Sequence, residues 1–172
     1  MKIRKATLED VEAISRIYAL SWKKAYIGMI PQKYLDELQE NFWVEVLQNW
    51  IKNFIFSVKL LCEKEKIIGC ITYGKSREEQ LSDWGEIPSV YLLPEYFNKG
   101  YGELLLKKAL SDLKEKGYPS VFLWVLKENE RARYFYEKNG FYWNKEELVF
   151  EIMGKKLTDY RYIYHFKNKP AF

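Results

Sequence analysis

A chain of 172 residues with 48% hydrophobic and 17% aromatic content can bury a core without disulfides or metals, and is too apolar for a disordered segment. Its 28 basic and 24 acidic residues leave a net charge of +4, with basic residues scattered as pairs such as Lys23-Lys24, Lys107-Lys108 and Lys155-Lys156. That pattern gives no support to nucleic-acid binding, although a mild positive balance helps attract an anionic ligand. The N-terminus lacks the apolar core of a signal peptide and no stretch is apolar over a bilayer's thickness, so a cytoplasmic protein without membrane contact is expected. One His and two Cys argue against a metal site, and Cys62 and Cys70 read as reduced, buried small hydrophobes.

In chain order, residues 2–6 read as a short strand. Thr7 to Asp10 match a capping box, after which Val11, Ile14, Tyr18, Trp22 and Ala25 recur at helical spacing until Gly28. Pro31 opens a helix carrying Tyr34, Leu35 and Leu38, and a further run holds Trp43, Val46, Leu47, Trp50 and Ile51. Residues 55–63 and 67–73 are strand-like, joined by Lys64-Glu65-Lys66 as a hairpin, and 74–83 is a polar loop. A strand over 84–93 precedes an amphipathic helix, Glu103–Lys116, whose buried face is Leu106, Ala109, Leu110 and Leu113; Gly117 and Pro119 stop it. Residues 120–126 are almost wholly apolar, as in a strand covered on both faces. A helix over 129–139 ends at Gly140, and 141–153 with 158–166 form a closing antiparallel pair. This order predicts one domain, 1–172, of α/β (α+β) class, with a mixed, mostly antiparallel sheet of about seven strands flanked by helices.

Chemistry concentrates between residues 86 and 141. The turn Asn98-Lys99-Gly100-Tyr101-Gly102 joins a strand to a helix, and its glycines allow successive backbone N–H groups to converge on a phosphate at the helix start. It is not a dinucleotide fingerprint, because Leu105 stands where a third glycine is required. Glu86 precedes Gly100 by 14 residues at the start of the strand. Downstream, Asn129, Ala132 and Tyr136 share one helix face in Asn129-x-x-Ala132-x-x-Phe135-Tyr136-Glu137-Lys138-x-Gly140-Phe141. The plainer alternatives are a helix N-cap for Asn129 and a half-buried aromatic for Tyr136. Trp22, Tyr26, Ile27, Met29 and Ile30 read as core, and His165 as a bystander on the final strand.

These two segments together resemble the GCN5-related N-acetyltransferase (GNAT) superfamily, over nearly the whole chain in element order. The resemblance implies an acetyl-CoA-dependent N-acetyltransferase. Its cofactor pyrophosphate would lie on the backbone of Asn98, Lys99, Gly100, Tyr101, Gly102 and Glu103. The pantetheine arm and thioester would pair with Val90, Tyr91 and Leu92, and Asn129 would hold the arm. Glu86 would be the general base and Tyr136 the acid that protonates the departing thiolate. The family pattern Arg/Gln-x-x-Gly-x-Gly/Ala meets Phe97 at its first position, forfeiting a charge-assisted hydrogen bond of roughly 1.5–3 kcal/mol; Lys99 is the candidate replacement. No Cys matches a nucleophile position, so direct transfer in a ternary complex is expected. The acceptor is a small-molecule amine or a protein N-terminus or lysine, the protein a monomer or homodimer. A non-catalytic acyl-CoA-binding or sensing module is the alternative.

Overall fold

The computed structural model describes residues 1–167. The chain runs β1 (Lys2–Lys5), α1 (Val11–Ala25), α2 (Gln32–Glu37), α3 (Val44–Lys52), β2 (Phe56–Glu63), β3 (Lys66–Lys75), β4 (Gly85–Leu92), α4 (Tyr101–Glu115), β5 (Ser120–Leu126), α5 (Glu130–Lys138), β6 (Tyr142–Ile152) and β7 (Lys155–His165). All seven expected strands form, in one sheet of order β1-β2-β3-β4-β5-β7-β6. Every pairing is antiparallel except β4 with β5. Among the described residues no helix is long and apolar enough to cross a membrane.

The apolar pattern explains the layering. Val58, Leu60, Cys62 and Cys70 point to one face, where Val11, Ile14, Ile17 and Tyr18 of α1 and Leu47 of α3 bury them. Leu61, Ile71 and Tyr73 point the other way, onto Leu105, Leu106, Ala109 and Leu113 of α4. Leu105, Leu106 and Leu113 are each fully buried, a gain of roughly 1.5–3 kcal/mol apiece. With both faces covered, β2 and β3 carry apolar side chains in succession.

The entry to α1 is fixed by Asp10, whose carboxylate accepts from the Thr7 backbone N–H at 2.8 Å and binds both terminal nitrogens of Arg4, at 2.7 and 2.8 Å. The Arg4 guanidinium holds the Asp10 carboxyl below its ordinary value. The loop after β3 is shorter than the sequence suggested, because β3 extends to Lys75. The final pair turns at Met153-Gly154, so β7 begins at Lys155, earlier than expected.

The sheet opens in its middle. Strands β4 and β5 pair only at Gly85 with Val121 and Glu86 with Phe122, and then part. A bulge lies at the same place, where Thr72 faces Ser89 but Gly74 faces Glu86. Pro88 sits inside it, without an N–H to offer a neighbouring strand. Beyond Glu86 the edge of β4 that faces β5 therefore has no strand partner, and the cleft this leaves is the frame of the site.

Candidate active site

At the open end of the cleft the chain leaves β4 and enters α4 through residues 98–103. Asn98 and Gly100 both take left-handed backbone conformations, with φ of 59° and 80°. A Cβ built on Gly100 would meet nothing within 4 Å, so this backbone faces open space. Among the described residues, none of the N–H groups of 98–103 donates a backbone hydrogen bond. A row of free donors at a helix start, curled by left-handed residues, is a cradle for a phosphate or diphosphate. A Cβ on Gly102 would come within 3.4 Å of Phe135, so this glycine also lets α4 approach α5. Glu103 is held off the cradle by Lys107 at 2.6 Å and Lys138 at 3.7 Å.

Phe97 is answered from across the cleft. The Arg131 guanidinium of α5 stacks on the Phe97 ring at 4.4 Å, and its partial burial lowers the Arg131 pKa. Lys99 sits over Tyr96 at 5.4 Å instead. A guanidinium thus stands on the aromatic ring at the position where the family pattern has Arg or Gln.

Along the cleft, Val90, Tyr91 and Leu92 pair with β3 through Ile71, Cys70 and Gly69 and have no strand on their other side. Their backbone is available to an extended ligand. The Tyr91 side chain turns away to α1, where it packs edge-on against Tyr18 and its hydroxyl accepts from Trp22 Nε1 at 2.8 Å. Asn129 caps α5, its Oδ1 accepting from the Ala132 N–H at 3.1 Å. Its Nδ2 is left without a protein partner among the described residues. Tyr136, on the same helix face, packs against Phe135 and Phe141. Its hydroxyl makes no hydrogen bond among the described residues, and burial beside Tyr26 pushes its pKa up. A phenol kept neutral in this way can donate a proton.

On the far side of the cleft lies a cavity of about 210 Å³. Trp22, Tyr26 and Ile30 contribute from α1 and the turn after it, Glu86 to Pro88 and Tyr91 from β4, Trp124 and Leu126 from β5, with Arg77, Phe150 and Asp159 completing the wall. The core assignment for the aromatic cluster holds in part: Ile30 is buried with Leu35, Leu126 and Leu157, and Trp22, Tyr26 and Met29 pack against it, but Trp22, Tyr26 and Ile30 also line this cavity and Ile27 is exposed. Burial, followed by the nearby Asp159, pushes Tyr26 up to about 12.

Glu86 is buried in the cavity wall and fully engaged. Its carboxylate accepts from the Arg77 backbone N–H at 3.0 Å, from Nε at 3.1 Å and from Nη2. The neighbouring Glu78 accepts from Trp124 Nε1 at 2.8 Å and from Arg161 at 3.0 Å, pinning the loop that carries Arg77 across β5 and β7. His165 binds Ser120 at the opposite end of β5, away from the cavity. Cys62 and Cys70 are buried on the α1 face and reach neither cleft nor cavity.

Sequence reasoning missed Arg77, Arg131 and Asp159. Only Asp159 left a trace: with Arg161 it interrupts the parity of Leu157 and Ile163, two buried residues of β7.

The architecture has close counterparts. The model of the acetyltransferase (GNAT) family matches residues 14–141. An uncharacterized N-acetyltransferase of Bacillus subtilis, YuaI, is 31% identical over 91% of this chain and 88% of its own length. A spermidine N(1)-acetyltransferase of Thermoplasma acidophilum is 30% identical over 91% of this chain and 97% of its own. The crystal structure of the PaiA N-acetyltransferase of Thermoplasma acidophilum in complex with coenzyme A superposes with a TM-score of 0.79 at 26% identity, covering 96% of this chain and 98% of that one. The free amide cradle, the parted strands and the unpartnered tyrosine therefore sit in a matching frame, and the chain belongs to the acetyltransferase (GNAT) family.

Proposed function

We propose that this N-acetyltransferase moves the acetyl group of acetyl-CoA directly onto a primary amine, with both substrates bound at once. The observation that carries the reading is continuity: the amide cradle at 98–103 leads along the unpaired edge of β4 into the acidic, aromatic cavity. The diphosphate takes the cradle, with Arg131 supplying the cation that Phe97 cannot. The pantetheine arm runs against Val90, Tyr91 and Leu92 and is held by the free Nδ2 of Asn129. A backbone N–H of β4 polarises the thioester carbonyl, a contact of the kind that is typically worth a few kcal/mol in the transition state. Tyr136 gives its proton to the thiolate of coenzyme A. Glu86 shapes the cavity wall through Arg77.

The stack of Arg131 on Phe97 weakens the case for a non-catalytic binding module, because it returns a cation to the position that Phe97 leaves without one. Direct transfer is supported by the position of both cysteines, away from the cleft. The cavity suits a slender amine better than a bulky ring system, and the Thermoplasma acidophilum relative named for spermidine fits that size.

Thiol release from acetyl-CoA tests the reading, using linear diamines and polyamines, aminoglycosides, amino acids and a peptide with a free N-terminus. Release with one or more linear amines is expected. Binding of acetyl-CoA without release by any amine would restore the non-catalytic alternative, and absence of acetyl-CoA binding would contradict the proposal outright.

A further inference from the structure

The cavity wall contains a second carboxylate, and the two differ in what they are free to do. Glu86 has its oxygens on the backbone N–H, Nε and Nη2 of Arg77. Its carboxylate is thus already engaged in an ion pair with Arg77. Asp159 stands on β7 between Leu126 of β5 and Leu148 of β6, partly buried, and lines the same cavity. Among the described residues its carboxylate makes no hydrogen bond and no ion pair.

An amine acceptor arrives mostly as ammonium near neutral pH, with a reference pKa of about 10.4 for a lysine-like group. It needs a place for its charge and then for one proton. Resting on the acetyltransferase reading above, we propose that Asp159 is the group that receives the acceptor's proton, and that the cavity selects cationic alkyl amines, their ammonium between the Asp159 carboxylate and the faces of Trp22, Tyr26 and Trp124. Aromatic faces attract such cations when water is displaced. Glu86 then serves as a positioning residue, fixing Arg77 at the rim.

The step balances without a further reactant. The ammonium R–NH3+ passes one proton to the Asp159 carboxylate, leaving R–NH2 and a carboxylic acid. The nitrogen lone pair forms the N–C bond at the thioester carbonyl. The C–S bond breaks and its electron pair leaves on sulfur. The nitrogen gives up a second proton while the Tyr136 hydroxyl protonates the thiolate, the phenol recovering a proton in exchange. Asp159 returns its own proton to solvent. The products are R–NH–CO–CH3 and the free thiol of coenzyme A.

The groups around Asp159 suit the role. Tyr26 at the end of α1 faces it as a neutral phenol, Glu128 in the turn before α5 adds negative charge, Arg131 lies beyond Tyr26, and Glu86 with Arg77 stands in the same cavity wall. Burial, with Glu128 second, pushes Asp159 up to about 6. A base poised there is ionised at neutral pH and still takes a proton readily.

The test uses the full chain, acetyl-CoA and spermidine or 1,3-diaminopropane, with kcat/KM for the amine followed from pH 5 to 9. The native protein should lose activity on the acid side with a midpoint near 6. Asp159→Asn should remove that limb and lower kcat/KM by roughly 10²–10⁴-fold, with acetyl-CoA binding by calorimetry unchanged. Asp159→Glu should restore part of the rate and the limb, and Glu86→Gln should keep the limb. Survival of the native limb in Asp159→Asn, or its loss in Glu86→Gln alone, would overturn the assignment while leaving the acetyltransferase reading intact. Failure of the native protein to release thiol with any amine would overturn both.

Discussion

The two sides of the cleft are built in opposite ways. The cofactor side comes from two short contiguous stretches, 97–103 and 129–136, and relies on backbone donors and a helix start. The acceptor side draws single residues from far apart in the chain: Trp22 and Tyr26, Arg77, Glu86, Trp124, Phe150 and Asp159. A diphosphate is bound by peptide groups, so local glycine spacing suffices to encode its site. A cationic amine is bound by side chains, and these meet only because β4 and β5 part where Pro88 and the bulge interrupt pairing.

If the two sides act separately, single substitutions should fall on one side or the other. Tyr136 is the junction between them and should show the largest effect outside the base itself. Tyr136→Phe keeps the packing against Phe135 and Phe141 and removes only the hydroxyl. It should lower kcat by about ten- to a hundredfold, at the modest end of acid catalysis, with acetyl-CoA affinity unchanged. Early melting with normal turnover would instead make the hydroxyl structural.

Arg131→Ala sharpens the cofactor side. Loss of one charge-assisted contact, about 1.5 kcal/mol, should raise the KM for acetyl-CoA roughly tenfold and leave the KM of the amine alone. An effect confined to the amine would place Arg131 on the wrong side of the cleft.

The smallest expected effect concerns stability. Burial raises the Asp159 pKa above its unfolded value, so the native state binds a proton more tightly than the unfolded chain. Stability from this group is present at low pH and falls as pH rises from about 4 to about 6. Asp159→Asn should therefore stabilise the protein by ~1–2 kcal/mol at pH 7.5 and by almost nothing at pH 4, as read from denaturant unfolding at both values. Loss of activity joined to a gain in stability would mark a residue kept for function.

The same contrast decides what the sequence made legible. Among the described residues the seven strands and five α-helices were readable because both faces of β2 and β3 repeat apolar residues and because Gly28, Gly117 and Gly140 stop helices cleanly. The cradle and the Asn129–Tyr136 face were readable because each lies within one turn or one helix. Arg131 was not, since its partner Phe97 is brought to it by tertiary packing of α5 beside the cradle. Trp22 and Tyr26 follow helical spacing, and periodicity cannot tell a core from the wall of a cavity. Arg77 sits in a polar loop whose position is set by Glu78 reaching Trp124 and Arg161, contacts with no local signature. Asp159 was detectable only as an acid on the buried parity of β7.

Amide hydrogen exchange with and without acetyl-CoA reads the cradle and the open strand edge together. Slowed exchange is expected at residues 98–103, whose N–H groups lack protein partners among the described residues, and along 89–92 at the unpaired edge of β4, with β1 and β2 unchanged. Protection confined to another part of the molecule, such as the separate hollow between Lys59, Tyr73 and Asp112, would contradict it.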